Sequence, residues 1–391
     1  MEKRINILEF RSVVGSGGGP EKTILVGATK MDHARFNVVV AYMRNADDPA
    51  YTIDRRAQDL GVNFYDLPER CSLDPNSIAR LWRIIAREKI DIVHAHDYKT
   101  DVFALILRPF LRFKLVSTAH GWITTSPKLH VYVMLDKLAL RYCEKVMCVS
   151  SDIRNKLLRW GVRAERLIYL PNGVDTDHFS RKAPVASLRN ELKINAVQPL
   201  IGAIGRLSEE KDLGAFLRVA QQVLRTIPTA RFVLVGEGPH RPFLEQLARE
   251  LGLDGRVLFL GQRNDILNVY TSLDLLLLTS STEGFPNVVL EAMAMELPVV
   301  ATDVGGVSDL LEDGITGRVV ARGDIDGLAR AVADLMKDRE FAHRLAKAAR
   351  ERVCREFSFE GRVRKLERVY LDVMGKQGTG AVLPAVSTPA S

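Results

Sequence analysis

Short apolar runs, each closed by turn residues and followed by a helical stretch, recur along the chain at 5–10, 36–42, 90–94, 115–119, 145–149 and 167–170, and again at 200–204, 231–235, 257–260, 273–279 and 298–302. Apolar runs without in–out alternation suit strands covered on both faces. Strands alternating with helices build parallel sheets that bind ligands outside their carboxyl ends. The mixed polar stretch 181–199, bounded by proline, interrupts the series. Two α/β units are therefore expected, and 391 residues allow each its own core.

Residues 280–296, S-S-T-E-G-F-P-N-V-V-L-E-A-M-A-M-E, follow the Leu-rich 273–279 run. Gly284 and Pro286 mark a turn with Pro286 at a first helical position, and 287–295 continue with helix formers. Glu283 then lies in the loop and Glu291 about one turn into the helix. Open N–H groups at a helix start attract anions, so carboxylates beside them serve better as acceptors for a polyol than as charges. Two fixed acceptors flanking a phosphate cradle describe a receptor for a nucleotide-linked sugar. The same spacing also fits helix capping or a solvated face.

The first strand runs into a loop with Gly15, Gly17, Gly18 and Gly19, where a ligand can approach the backbone closely. A dinucleotide G-x-G-x-x-G would need glycine at Pro20, which disfavours NAD. His94, His96 and Asp97 end another strand. H-x-H can bind a metal, but no further ligand cluster stands near in sequence, so cleft contacts or an internal polar network are expected instead. Gly205, Arg206 and Lys211 follow the 200–204 strand, a spacing that can aim two cations at one diphosphate. The D-x-D patterns at Asp175 and Asp324 sit among turn residues and are not read as metal sites.

Several of these segments, taken together, resemble retaining glycosyltransferase family 4: E-G-F-P-N-V-V-L-E-A-M-A with Glu283 and Glu291, T-A-H-G with His120, and G-R-L-S-E-E-K-D with Arg206 and Lys211. The resemblance implies the GT-B fold, two Rossmann-like doubly wound parallel-sheet domains facing a cleft. It assigns the ribose hydroxyls to Glu291, the donor-sugar hydroxyls to Glu283, the diphosphate to Arg206 and Lys211, and a place near the reacting carbon to His120. Gly17, Gly18, Gly19, Gly205, Arg263, Gly284, Phe285, Pro286, Asn287 and Val288 complete the expected donor contacts, the loop at Arg263 wrapping the base largely through backbone atoms. It further implies transfer from a UDP- or GDP-sugar to a lipid-linked or polysaccharide acceptor, with retained anomeric configuration and no required metal or cofactor. The expected domains are 1–185, joined by a returning helix at 358–374, and 186–357. The Gly-, Pro- and Ser-rich 375–391 is expected to be a disordered tail. A silent GT-B protein that only binds nucleotide sugar is the alternative from another class, disfavoured by the intact Arg206, Lys211, Glu283 and Glu291.

Charge sharpens the partner list. Residues 1–186 carry 29 Lys and Arg against 21 Asp and Glu, whereas the remainder is almost balanced at 26 against 27. A basic first half admits an anionic membrane surface or a phosphate-bearing acceptor. Nucleic acid is disfavoured, because the basic residues are not interleaved with aromatics in any known module. The start of the chain lacks a signal-peptide core, and the four cysteines form neither a disulfide framework nor paired zinc spacing. A cytoplasmic location, at the inner membrane face if peripheral, is expected.

Overall fold

The computed structural model describes residues 3–15, 17–71, 74–122, 127–181 and 188–376. Residues 182–187 of the expected linker and 377–391 of the expected tail lie outside them. The strands are β1 (Ile5–Val13), β2 (Phe36–Asn45), β3 (Asn63–Glu69), β4 (Ile92–Ala95), β5 (Lys114–Ala119), β6 (Lys145–Cys148) and β7 (Leu167–Tyr169), then β8 (Leu200–Ile204), β9 (Arg231–Val235), β10 (Val257–Gly261), β11 (Leu275–Leu278), β12 (Val299–Asp303) and β13 (Arg318–Ala321). They form two sheets, ordered β3-β2-β1-β4-β5-β6-β7 and β10-β9-β8-β11-β12-β13, with every named pairing parallel. The expected pair of doubly wound sheets is what the chain forms.

Burial on both faces explains the unbroken apolar runs. In β1, Ile5 and Ile7 enter one cluster while Leu8 and Phe10 enter another on the opposite face. The strands absent from the sequence reading are β3 and β13, which sit at sheet edges and are mostly half-buried. With Pro68 in β3, an edge is where such a strand is tolerated. β1 also runs three residues past Phe10, to Val13 opposite Arg44.

The final helix, Phe359–Val373, begins at Ser358, whose hydroxyl accepts from Gly361 N. It packs Phe359, Val363, Leu366 and Tyr370 against the cluster containing Ile5, Ile7 and Phe36, so the end of the chain completes the core beneath the first sheet. The two crossings between lobes lie side by side: Val174 N donates to Phe357 O, and Phe359 N to Val174 O. Arg350 fastens this hinge, donating to Phe179 O (2.7 Å), Thr176 O (2.9 Å) and Ala294 O.

Candidate active site

In each sheet the strand order reverses between two central neighbours, β1 and β4 in the first and β8 and β11 in the second. Loops leaving such strands in opposite directions open a crevice, which is where doubly wound sheets bind ligands. The glycine loop leaves β1 and His96–Asp97 leave β4. Gly205–Arg206 leave β8, and Thr279–Glu283 leave β11. Four of the segments singled out in the sequence thus fall at the two switch points.

In the second lobe, Lys211 Nζ donates to Glu283 Oε1 (2.7 Å), which also accepts from Ser280 Oγ (2.6 Å). Gly205, Arg206, Lys211, Ser280 and Val288 line one hollow. Arg206 is exposed, and no carboxylate among the described residues pairs with it. The helix Asn287–Ala294 starts one residue later than expected, with Pro286 as its N-cap. Its cap makes no side-chain bond, and helix geometry leaves the Asn287 and Val288 amides open. Glu291 accepts from the Tyr270 hydroxyl at 2.6 Å. Burial pushes the Glu291 carboxyl above its ordinary range, against the pull of Tyr270 and of Lys22 from the other lobe. Phe285 is buried and holds the turn from below.

The first lobe presents its glycine loop and His120. Gly18 N donates to Glu21 (2.6 Å), Gly15 N to Asp48 (2.6 Å) and Gly17 N to Val14 O. The loop is therefore largely satisfied by its own lobe, and its use is close approach: a Cβ on Gly19 would meet Asn287 Nδ2 at 2.3 Å. His120 is partly exposed at the end of β5, and its carbonyl faces Gly284 so closely that a Cβ there would lie 2.0 Å from the oxygen. Asn172 Nδ2 ties the lobes by donating to Phe285 O (3.2 Å) and Asn287 Oδ1 (2.9 Å). Gly19, His120 and Asn172 of the first lobe thus face the 284–288 turn, while Arg206 and Lys211 line the hollow beside Val288 and Glu283 bonds Lys211.

The fold brings to His94 and His96 a neighbour that the sequence does not show beside them. Glu9, on β1, joins them, and the three offer ligand atoms within 4.8 Å of one another. All four imidazole nitrogens already have hydrogen-bond partners: Tyr370 and Thr118 for His94, Glu9 and His120 for His96. This is the buried polar network that was the other expectation.

Comparison with known proteins decides the family. The model described as Glycosyltransferase Family 4 matches residues 17–178, and that described as Glycosyl transferases group 1 matches 185–352. N-acetyl-alpha-D-glucosaminyl L-malate synthase of Bacillus anthracis is 27% identical over 331 residues, covering 83% of this chain and 86% of that protein. UDP-Gal:alpha-D-GlcNAc-diphosphoundecaprenol alpha-1,3-galactosyltransferase of Escherichia coli is 28% identical over 333 residues, covering 81% and 85%. The chain belongs to the family 4-type glycosyltransferases. Its GT-B fold matches that of Anabaena HepE, solved in complex with UDP-glucose, with a TM-score of 0.80 at 24% identity over 94% of this chain and 100% of that one.

Arg263 stands apart in this glycosyltransferase. Its guanidinium is clamped by Glu191 (2.7 Å) and Asp265 (2.8 Å), so its side chain is committed elsewhere. Residues that sequence reading missed are Glu9, Asn172 and Tyr270. Glu9 had one signal, a carboxylate inside an apolar strand, and Asn172 another, its place in P-N-G next to the hinge.

A buried acid pair supports the His120 loop. Trp122 Nε1 donates to Asp136 Oδ2 (2.6 Å), and Ser117 Oγ to Asp101 Oδ2 (3.0 Å). The two Oδ1 atoms are buried with no hydrogen-bond partner among the described residues, and the nearby Asp136 further opposes ionisation of Asp101. Burial pushes Asp101 well up and Asp136 to about 6. The native state therefore holds a proton that the unfolded chain releases above its ordinary aspartate pKa, and stability falls as pH rises towards and through about 6. Asp101→Asn supplies the hydrogen permanently. Thermal melts should show it more stable than the parent at pH 8, by on the order of 1 kcal/mol, and no better at pH 5.

Proposed function

We propose that this glycosyltransferase moves a sugar, with retained anomeric configuration, from a UDP- or GDP-sugar to a lipid-linked or polysaccharide acceptor in cell-envelope or exopolysaccharide biosynthesis. The observation that carries the reading is the convergence at the second lobe's switch point, between β8 and β11, of two cations, an open helix start and two carboxylates with different surroundings. Leaving diphosphate gains negative charge as the glycosidic bond breaks. Arg206, Lys211 and the Asn287 and Val288 amides are preorganised to receive it, each such contact lowering the barrier by roughly 2–4 kcal/mol. No metal is needed in this reading, because fixed cations do that work. Glu291 takes the ribose hydroxyls and Glu283 the sugar hydroxyls. His120, beside Gly284, stands next to the reacting carbon, and closure between the lobes keeps water from the donor.

The Escherichia coli relative's UDP-Gal and diphosphoundecaprenol-linked partner, and the UDP-glucose of HepE, support a nucleotide-sugar donor and a lipid-linked acceptor. We assign donor binding to 186–357 and acceptor binding to 1–185 with the returning helix 358–374. No described helix is long and apolar enough to cross a membrane. An anionic bilayer surface at the cytoplasmic face is supported by exposed Trp82 and Phe110, with rings 5.9 Å apart, near exposed Arg80, Arg83, Arg87 and Arg112.

The test is a thermal-shift screen against UDP, GDP and ADP, followed by their sugar conjugates. One nucleoside diphosphate should stabilise the protein, by about 2.7 kcal/mol at a hundredfold excess over Kd. Glu291→Ala, Arg206→Ala and Lys211→Ala should each lose most of that effect. Unchanged affinity in all three overturns the assignment. Binding that survives with no transfer to any acceptor would favour a silent sugar-nucleotide receptor.

A further inference from the structure

Behind His120 runs an unbroken chain of hydrogen bonds into the core of the first lobe. Glu9 is 3% exposed. Its Oε1 accepts from the Tyr370 hydroxyl (2.7 Å), and its Oε2 lies 2.6 Å from His96 Nε2. His96 Nδ1 in turn lies 3.3 Å from His120 Nε2. The order of donors along this chain follows from its inner end. Burial opposes the charge of Glu9, but His94 and His96 beside it hold the carboxyl well below its ordinary range, so it has no proton to give. His96 Nε2 must be the donor. Burial keeps His96 neutral, at about 3, which leaves its Nδ1 bare. His120 Nε2 must then carry the hydrogen between the two rings. Burial, then Arg11 and His96, hold His120 neutral as well, so its Nδ1 keeps a lone pair. Among the described residues no protein group is bonded to that atom, and the residue's own carbonyl abuts Gly284, next to Glu283.

We propose that Glu9 and His96 are positioning residues whose hydrogen-bond chain fixes His120 as its Nε2–H tautomer and presents Nδ1 to the cleft as an acceptor for a sugar hydroxyl. A bare ring nitrogen attracts a hydroxyl hydrogen and repels phosphate oxygen, so the ligand chemistry is that of the sugar and not of the diphosphate. Tyr370 makes the final helix part of this device. His94 closes it from the side, with Nδ1 2.6 Å from the Tyr370 hydroxyl and Nε2 2.7 Å from Thr118 Oγ1. The choice of a sugar hydroxyl as ligand rests on the transferase reading above, whereas the tautomer does not.

Nitrogen NMR of the imidazole rings in the full-length protein tests the tautomer without any substrate, and His120 should appear as Nε2–H. In His96→Phe the acceptor is gone. The His120 signal should move to a mixture of tautomers, and kcat should fall about ten- to a hundredfold with donor KM changing less. His96→Asn, whose side-chain carbonyl can stand in for Nδ1, should restore both, a rescue that a packing role would not show. A His120 carrying its hydrogen on Nδ1 in the unmodified protein overturns the proposal, as does a His96→Phe protein with unaltered tautomer and turnover. Should His96→Phe not fold, the tautomer of the unmodified protein decides. An Nε2–H tautomer in a protein that turns over no nucleotide sugar supports the relay and counts against the transferase reading.

Discussion

Gly284→Ala is expected to abolish sugar transfer while both sheets stay folded. The added methyl would sit 2.0 Å from the carbonyl oxygen of His120 and 3.1 Å from its carbon, and both are backbone atoms of the opposite lobe. Rotamer changes cannot relieve that overlap, so the lobes must separate at the point where the donor sugar is to lie. A displacement of about 1 Å at a reacting centre costs on the order of a hundredfold in rate. Steady-state turnover should fall at least that far. Affinity for the nucleoside diphosphate alone should be kept, because Arg206, Lys211 and Glu291 all belong to the second lobe. Gly27→Ala is the control: it lies within the Gly19–Lys30 helix with no atom within 4 Å of the new methyl, so it should leave activity intact and gain slightly in stability. Normal turnover in Gly284→Ala would show that the lobes react in an arrangement more open than this one.

Glu283→Gln should act in opposite directions on two ligands. Without ligand, Glu283 holds the Lys211 ammonium in a charge-assisted bond at 2.7 Å, and only 8% of the Glu283 side chain is exposed. An arriving diphosphate has to draw that ammonium towards itself. With glutamine the restraint weakens, and free nucleoside diphosphate should bind about three- to fivefold tighter, the equivalent of roughly 0.5–1 kcal/mol. The transfer reaction loses the charged acceptor for the sugar hydroxyls, and kcat/KM should drop by about a hundredfold or more. Lys211→Ala should lose on both counts. Calorimetry with the nucleotide and initial rates with its sugar conjugate separate the two effects. Weaker binding of free nucleotide to Glu283→Gln would mean that the pair does not restrain Lys211.

What could be read from the residues divides along physical lines. The strand–turn–helix at 275–294 was legible because three local signals coincide there: a Leu-only strand, Gly284 and Pro286 in the turn, and a run of helix formers after it. Arg206 and Lys211 were legible for the same reason, five residues apart after a strand. Edge strands β3 and β13 were not, since a strand covered on one side needs no apolar run. Glu9, His96 and Tyr370 meet only because β1, β4 and the last helix do, and no periodicity links positions 9, 96 and 370. Arg263 marks a different limit: two carboxylates, Glu191 and Asp265, claim its guanidinium, and only the folded chain shows which way an arginine turns.

The packing of Tyr370 and its helix under β1 also bears on how the molecule is made. A ribosome delivers β1 and β2 more than three hundred residues before the Phe359–Val373 segment, yet Ile5, Ile7 and Phe36 share their cluster with Phe359, Val363 and Leu366. The first lobe must therefore wait, one flank uncovered, while the second emerges between it and its missing piece.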